Sequence, residues 1–137
     1  MFSKKPSKPQ TQIDSLIGAN TIINGDLNFG GGLRIDGQVN GNVIAAPGKP
    51  STLVLSEHAQ VSGEISVTHL VINGTIKGSV SASDYLELQS QARVTGDVHY
   101  KTMEIQLGAI VDGRLLHDNP EAEEKVLAFK SSSGSGE

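Results

Sequence analysis

The sequence predicts an all-β, single-domain triangular β-helix, a β-solenoid of about six coils with disordered tails at both ends, and three observations predict it. The first is a five-residue signature, aliphatic-x-Gly-x-aliphatic, that recurs at 23–27, 39–43, 61–65, 76–80, 94–98 and 111–115. Its glycines, Gly25, Gly41, Gly63, Gly78, Gly96 and Gly113, stand 16, 22, 15, 18 and 17 residues apart, the spacing of stacked units that each contact only their neighbours. The second is strict alternation within a unit: Ile72, Gly74, Ile76, Gly78, Val80 and Ala82 share one side, and Asn73, Thr75, Lys77, Ser79 and Ser81 the other. Period two means strand with one buried face. The third is a constant offset of 17 between Leu86, Leu88, Ala92, Val94, Val98 and Met103, Ile105, Ala109, Val111, Leu115, which stacks like on like.

A unit of this length is too short for a helix plus two strands, yet it fits three strands of about five residues joined by tight bends. One coil of a triangular prism results. Glycine shares the parity of the aliphatics and is therefore expected to point inward, where a narrow corner leaves no room for a side chain. Bulges would not recur in step. Pro47-Gly-Lys-Pro50 interrupts the second coil, accounts for the spacing of 22, and predicts a surface loop at a corner. Gly30-Gly-Gly32 reads as a second loosened corner; a phosphate cradle is excluded because no Lys-Ser/Thr follows and no helical pattern opens there.

Composition agrees with a narrow core. The chain has 137 residues, 4% aromatics, no Trp and no Cys, so a core of large rings, a disulfide framework and a thiolate metal site are all excluded. No apolar run of 7 to 15 residues follows the N-terminal lysines, and no stretch approaches the roughly 18 apolar residues of a membrane span. A cytoplasmic protein without a signal peptide is expected. The formal net charge is −4. Nucleic acid does not fit the repeat, which lacks a basic, aromatic-studded face. Three regions follow: 1–15, a disordered N-terminal tail with Pro6 and Pro9; 16–116, the β-helix; and 117–137, a disordered C-terminal tail closing on Ser131-Ser-Ser-Gly-Ser-Gly-Glu137.

The run Leu33-Arg-Ile35-Asp-Gly37-Gln-Val39-Asn-Gly41-Asn-Val43, the repeat Leu70-Val-Ile72-Asn-Gly74-Thr-Ile76-Lys-Gly78 and the start Met1-Phe2-Ser-Lys together resemble the bactofilins, a family of bacterial cytoskeletal proteins. The resemblance implies a right-handed β-helix over residues 16–116. It also implies assembly into filaments without nucleotide, no cofactor, attachment to the inner face of the cytoplasmic membrane, and scaffolding of cell-wall or polar proteins as cargo. Filaments without direction, from alternating head-to-head and tail-to-tail contacts, are implied as well.

Elementary physics points the same way for assembly. Each end of the prism exposes three strands with unpaired N–H and C=O groups, which template further strands unless covered. The segment 121–129, with Val126, Leu127 and Phe129, makes only a marginal helix, so no cap is expected. The expected polymerisation interface is Ile17, Ile23 and Leu27 at the N-terminal end and Ile105, Leu107, Val111 and Leu115 at the other. Met1 and Phe2 with Lys4, Lys5 and Lys8 pair a small apolar anchor with cations suited to anionic lipid, worth about 1 kcal/mol per lysine.

Two enzyme classes share such folds. Left-handed β-helix acyltransferases place an aliphatic every sixth residue, whereas here they fall at 35, 39 and 43, and they use histidine at an intersubunit cleft. His58 and His99 point outward by parity, His69 sits at a bend and His117 lies in the tail; no two are spaced as metal ligands on one strand. Carbohydrate-active β-helices group carboxylates on one face. Asp26, Asp97 and Asp112 occupy related outward positions, but Asn42, Glu64 and Ser79 interrupt them, which reads as a solvated face. No catalytic residue is assigned.

Overall fold

The computed structural model describes residues 12–118; the lysine-bearing start and the 121–129 segment lie outside them. Among the described residues sixteen strands, all in parallel pairs, make up the regular structure, and no helix there is long and apolar enough to cross a membrane. They stack on three faces. The first holds β1 (Ser15–Ile17), β4 (Gly31–Ile35), β7 (Ser51–Leu55), the later halves of β9 (Ile65–Ile72) and β11 (Val80–Leu88), and β14 (Met103–Ile105). The second holds β2 (Ile22–Asn24), β5 (Gln38–Asn40), β8 (Gln60–Ser62), β10 (Thr75–Lys77), β12 (Arg93–Thr95) and β15 (Ile110–Asp112). The third holds β3 (Leu27–Phe29), β6 (Val43–Ala45), the opening halves of β9 and β11, β13 (Val98–Tyr100) and β16 (Leu115–His117). Six coils at about 4.8 Å per rung give a prism roughly 30 Å long.

The alternation read from the sequence holds. Val39, Val61, Ile76 and Val94 stack up the second face and are buried, as are Ile35, Leu55, Ile72 and Leu88 on the first and Val43, Ile65, Val80 and Val98 on the third. Each such side chain contributes about 1.5–3 kcal/mol by leaving water. The column is dry only in its middle. Ile17, Ile23 and Leu27 in the first coil and Val111 in the last are partly buried members of the same core.

The glycines occupy a different role from the expected one. The corner between the second and third faces has two residues in every coil, Gly25-Asp26, Gly41-Asn42, Gly63-Glu64, Gly78-Ser79, Gly96-Asp97 and Gly113-Arg114. A Cβ on Gly41, Gly63, Gly78, Gly96 or Gly113 would fall on the carbonyl oxygen of the glycine one coil earlier. The missing side chain therefore points along the axis, onto neighbouring backbone, and not into the core. Gly78 also holds φ +151°, a conformation that L side chains rarely adopt.

Length variation goes to the other corners. Residues 46–50 form the exposed loop expected between the third and first faces of successive coils. Gly31 and Gly32, in contrast to the expected loose corner, begin β4 and pair with Ser51 and Thr52. The incoming chain explains them: Asp14 N–H donates to the Gly32 carbonyl at 2.9 Å, Gly32 N–H donates to Asp14 Oδ2 at 3.0 Å, and a Cβ on Gly32 would strike the carbonyl of Gln12.

Candidate functional site

The two ends of the prism differ from everything between them. Among the described residues, strands β1, β2 and β3 pair only toward the second coil, and β14, β15 and β16 only toward the fifth, so each end of the described stack carries three strands with a free edge. Among the described residues, every exposed large aliphatic lies in these two coils or just before them: Ile13, Leu16 and Ile22 at one end, Ile105, Leu107, Ile110 and Leu115 at the other. Four of these, Ile13, Leu16, Ile22 and Ile110, were missed by a reading that followed only the inward parity. Their signal was present, since Ile22 and Ile110 terminate an outward column otherwise made of Gln38, Gln60, Thr75 and Arg93.

The expected interface residues are all at the ends, in two environments. Ile17, Ile23, Leu27 and Val111 are half-buried, while Ile105 and Leu115 are 49% and 44% exposed. Leu107 departs from expectation: it is 96% exposed at the tip of a turn, where alternation breaks and no inward position exists. Arg93 fixes that turn. Its guanidinium donates to the carbonyls of Ala92 at 2.8 Å and Gly108 at 3.1 Å, tying the last two coils together beneath Leu107.

The polar corner is a ladder, not merely a solvated face. Asp26 Oδ1 accepts from Asn42 N–H at 2.9 Å, Asn42 Oδ1 from Glu64 N–H at 2.8 Å, and Asp97 Oδ1 from Arg114 N–H at 3.1 Å. Each side chain thus satisfies a backbone donor of the next coil. Asp112 belongs to a different column, one position before the glycine. Arg114 closes the ladder with a 2.7 Å bond from Nη2 to Asp97 Oδ2. That side-chain bond, followed by the backbone one, holds the Asp97 carboxyl below its ordinary range, and the carboxylate raises Arg114. The pair's contribution is present at neutral pH and is lost as pH falls through the lowered value of Asp97.

The histidines do not converge. His58 is exposed beside Glu57, and His69, at the bend where β9 passes from the third face to the first, is buried with Nδ1 3.0 Å from the Thr68 hydroxyl. The bend at which the sequence places His69 is thus a buried one. Thr68 Oγ1 already donates to the Ser51 carbonyl, so it accepts from the imidazole. His117 is in β16, not in a tail, and packs 5.4 Å from Tyr100. His99 Nδ1 stands 3.6 Å from Asp118 and is the register partner of Ser81, across a recess of about 450 Å³ that also includes Ser66 and Ser79. No hydrogen bond joins Ser81 to the imidazole, the contact by which a base activates a nucleophile. Among the described residues no group of three or more His, Asp or Glu is placed to hold a metal.

Comparison with known proteins agrees with this architecture. The family model described as "Bactofilin: Polymer-forming cytoskeletal" matches residues 15–116. Two bactofilins of Myxococcus xanthus are similar to the chain: BacO, 28% identical over 108 residues, covering 79% of this chain and 82% of that protein, and BacP, 24% identical over 116 residues, covering 84% and 47%. The chain thus spans about half the length of BacP. No solved structure gives a significant match. A stack of parallel coils matched from its first strand almost to its last by one polymer-forming model places the chain in the bactofilin family.

Proposed function

We propose that this chain is a non-enzymatic cytoskeletal scaffold that assembles end to end into filaments without nucleotide, at the inner face of the cytoplasmic membrane. The confinement of exposed large aliphatics to the terminal coils carries this reading. A protein that worked alone would have no use for apolar ends with free strand edges, which recruit other strands. Contact between ends completes the burial of Ile17, Ile23, Leu27, Ile105, Leu107, Val111 and Leu115. Full coverage of even two of them is worth about 3–6 kcal/mol.

The N-terminal segment supplies the membrane contact in this reading. A phenylalanine adds at most about 2 kcal/mol, and Lys4, Lys5 and Lys8 about 3 more. One copy binds weakly, whereas a filament binds through many copies at once. Cell-wall or polar proteins are its cargo.

Purified protein should form filaments about 3 nm wide with neither ATP nor GTP. A monodisperse monomer by light scattering at high concentration would refute the assembly. Deleting residues 1–8 should abolish flotation of filaments with anionic liposomes and leave their formation intact. Truncated filaments that float as well as the full chain would place the anchor elsewhere. Electron micrographs of the filaments report direction: twofold axes between successive subunits are expected, and one repeated orientation counts against alternating contacts.

A further inference from the structure

We propose that the first face of the prism binds a second copy of this chain running in the opposite direction, so that filaments pair side by side. The proposal rests on the end-to-end reading above and adds a lateral contact to it. Its basis is one outward row: Leu16, Arg34, Val54, Val71, Glu87 and Glu104, one residue per coil in continuous register. The row points outward because its neighbours Leu33, Ile35, Leu53, Leu55, Leu70 and Ile72 are buried. Charge is sorted along it, with a cation in the second coil, two valines in the middle, and carboxylates in the fifth and sixth.

A twofold axis lying along the strands between the Val54 and Val71 rungs makes this row complementary to itself. It sets Arg34 against Glu87 of the other copy, Val54 against Val71, and the stem of Glu104 against Leu16. Asp36, which holds Arg34 at 2.8 Å, comes opposite Gln89, an amide donor. Glu87 is already held in place by Gln89 Nε2 at 3.0 Å and the Tyr85 hydroxyl at 3.3 Å. A parallel arrangement would instead oppose Arg34 to Arg34 and both carboxylates to themselves, which is repulsive. The other faces offer no such pairing, since neither carries a charged outward residue in its first three coils.

The contact is small. A strip roughly 30 Å by 10 Å on each copy buries on the order of 600 Å² in total, below what a stable pair of subunits needs. Single subunits should therefore not dimerise through it, but filaments should, because each further rung of subunits adds an intramolecular contact.

The test uses the full chain, with low-speed sedimentation and negative-stain images. Native filaments are expected to lie in pairs that separate as salt rises toward 1 M, where the Debye length falls to about 3 Å. Arg34→Glu and, separately, Glu87→Arg should each give single filaments, and the combination Arg34→Glu with Glu87→Arg should restore pairs. Native filaments that remain single, reversed variants that remain paired, or a double variant that stays single would each overturn the proposal. If the native chain makes no filaments at all, the end-to-end reading fails with it; single native filaments remove the lateral contact alone. Pairing unaffected by either reversal, with Arg34→Glu instead releasing filaments from phosphatidylglycerol vesicles, would assign the face to lipid.

Discussion

Leu115→Arg is expected to leave folded single subunits under conditions where the native chain makes filaments. Leu115 opens β16, pairs with Val98 below it, and is 44% exposed, with no described strand above it. The isolated subunit accommodates the substitution, since a long cation can turn into water from a half-open site. An end-to-end contact cannot, because it would bury the guanidinium without a partner. An unpaired buried charge costs about 3–5 kcal/mol, which lowers the association constant on the order of a hundredfold to several thousandfold. Sedimentation and light scattering read the loss of polymer, and circular dichroism confirms the retained strands. Filaments at the native threshold concentration would show that the C-terminal coil is not an interface.

The second large effect belongs to the glycine corner, where Gly78→Val should cost the fold itself. The valine Cβ would fall on the carbonyl of Gly63 and adopt φ +151°. Strain of that kind is about 1–3 kcal/mol. Relief requires the fourth coil to move off its neighbours, weakening the bonds Gly63 N–H to Lys77 O at 3.0 Å and Gly78 N–H to Thr95 O at 2.9 Å, each worth about 0.5–1.5 kcal/mol. A loss of about 4 kcal/mol is a large part of the 5–15 kcal/mol that holds a typical domain. Thermal melts should fall by roughly 15 °C or more. Gly25→Ala is the contrast: it meets the same kind of backbone, at φ +130°, but no atom lies within 4 Å of the added carbon, so conformational strain is its only cost. Equal melting of the two variants would mean that axial crowding is not what selects glycine.

Register on the second and third faces was legible in the sequence to the residue, whereas the first face steps by 18, 20, 17, 16 and 17 from Leu16 to Glu104 because the turns flanking it vary in length. The glycine spacings of 16, 22, 15, 18 and 17 are the same offsets that pair Ile22 with Gln38, Gln38 with Gln60, Gln60 with Thr75, Thr75 with Arg93 and Arg93 with Ile110. Parity located the core for the same reason, since inside and outside alternate along a strand. What parity cannot express is the third direction, along the axis. The glycine column, the Asp26–Asn42–Glu64 ladder and the clamp of Arg93 on the last turn all act between coils, at a spacing of about 4.8 Å that no single unit displays. His69 escaped for a related reason: it lies where β9 bends between faces, and there alternation gives no side to assign. At the ends, the outward aliphatics Leu16, Ile22 and Ile110 were visible as letters, but only the stack shows that each stands in a terminal rung.

Both ends of the described chain and its longest insertion leave through one edge of the prism, that between the third and first faces. Gln12 enters there beside Gly32, the 46–50 loop projects from it, and Asp118 departs from it with its N–H on the Tyr100 carbonyl at 2.6 Å. The corner between the second and third faces, with its two-residue turns, carries no insertion in any of the six coils. Such a prism has a back and a front. Segments appended to either terminus, or grafted between Gly48 and Lys49, share one rim, while the two-residue corner remains smooth. Sidedness of this kind lets a polymer hold a surface with one rim and stay bare on the other, whatever its length, because the asymmetry is written into each subunit's cross-section.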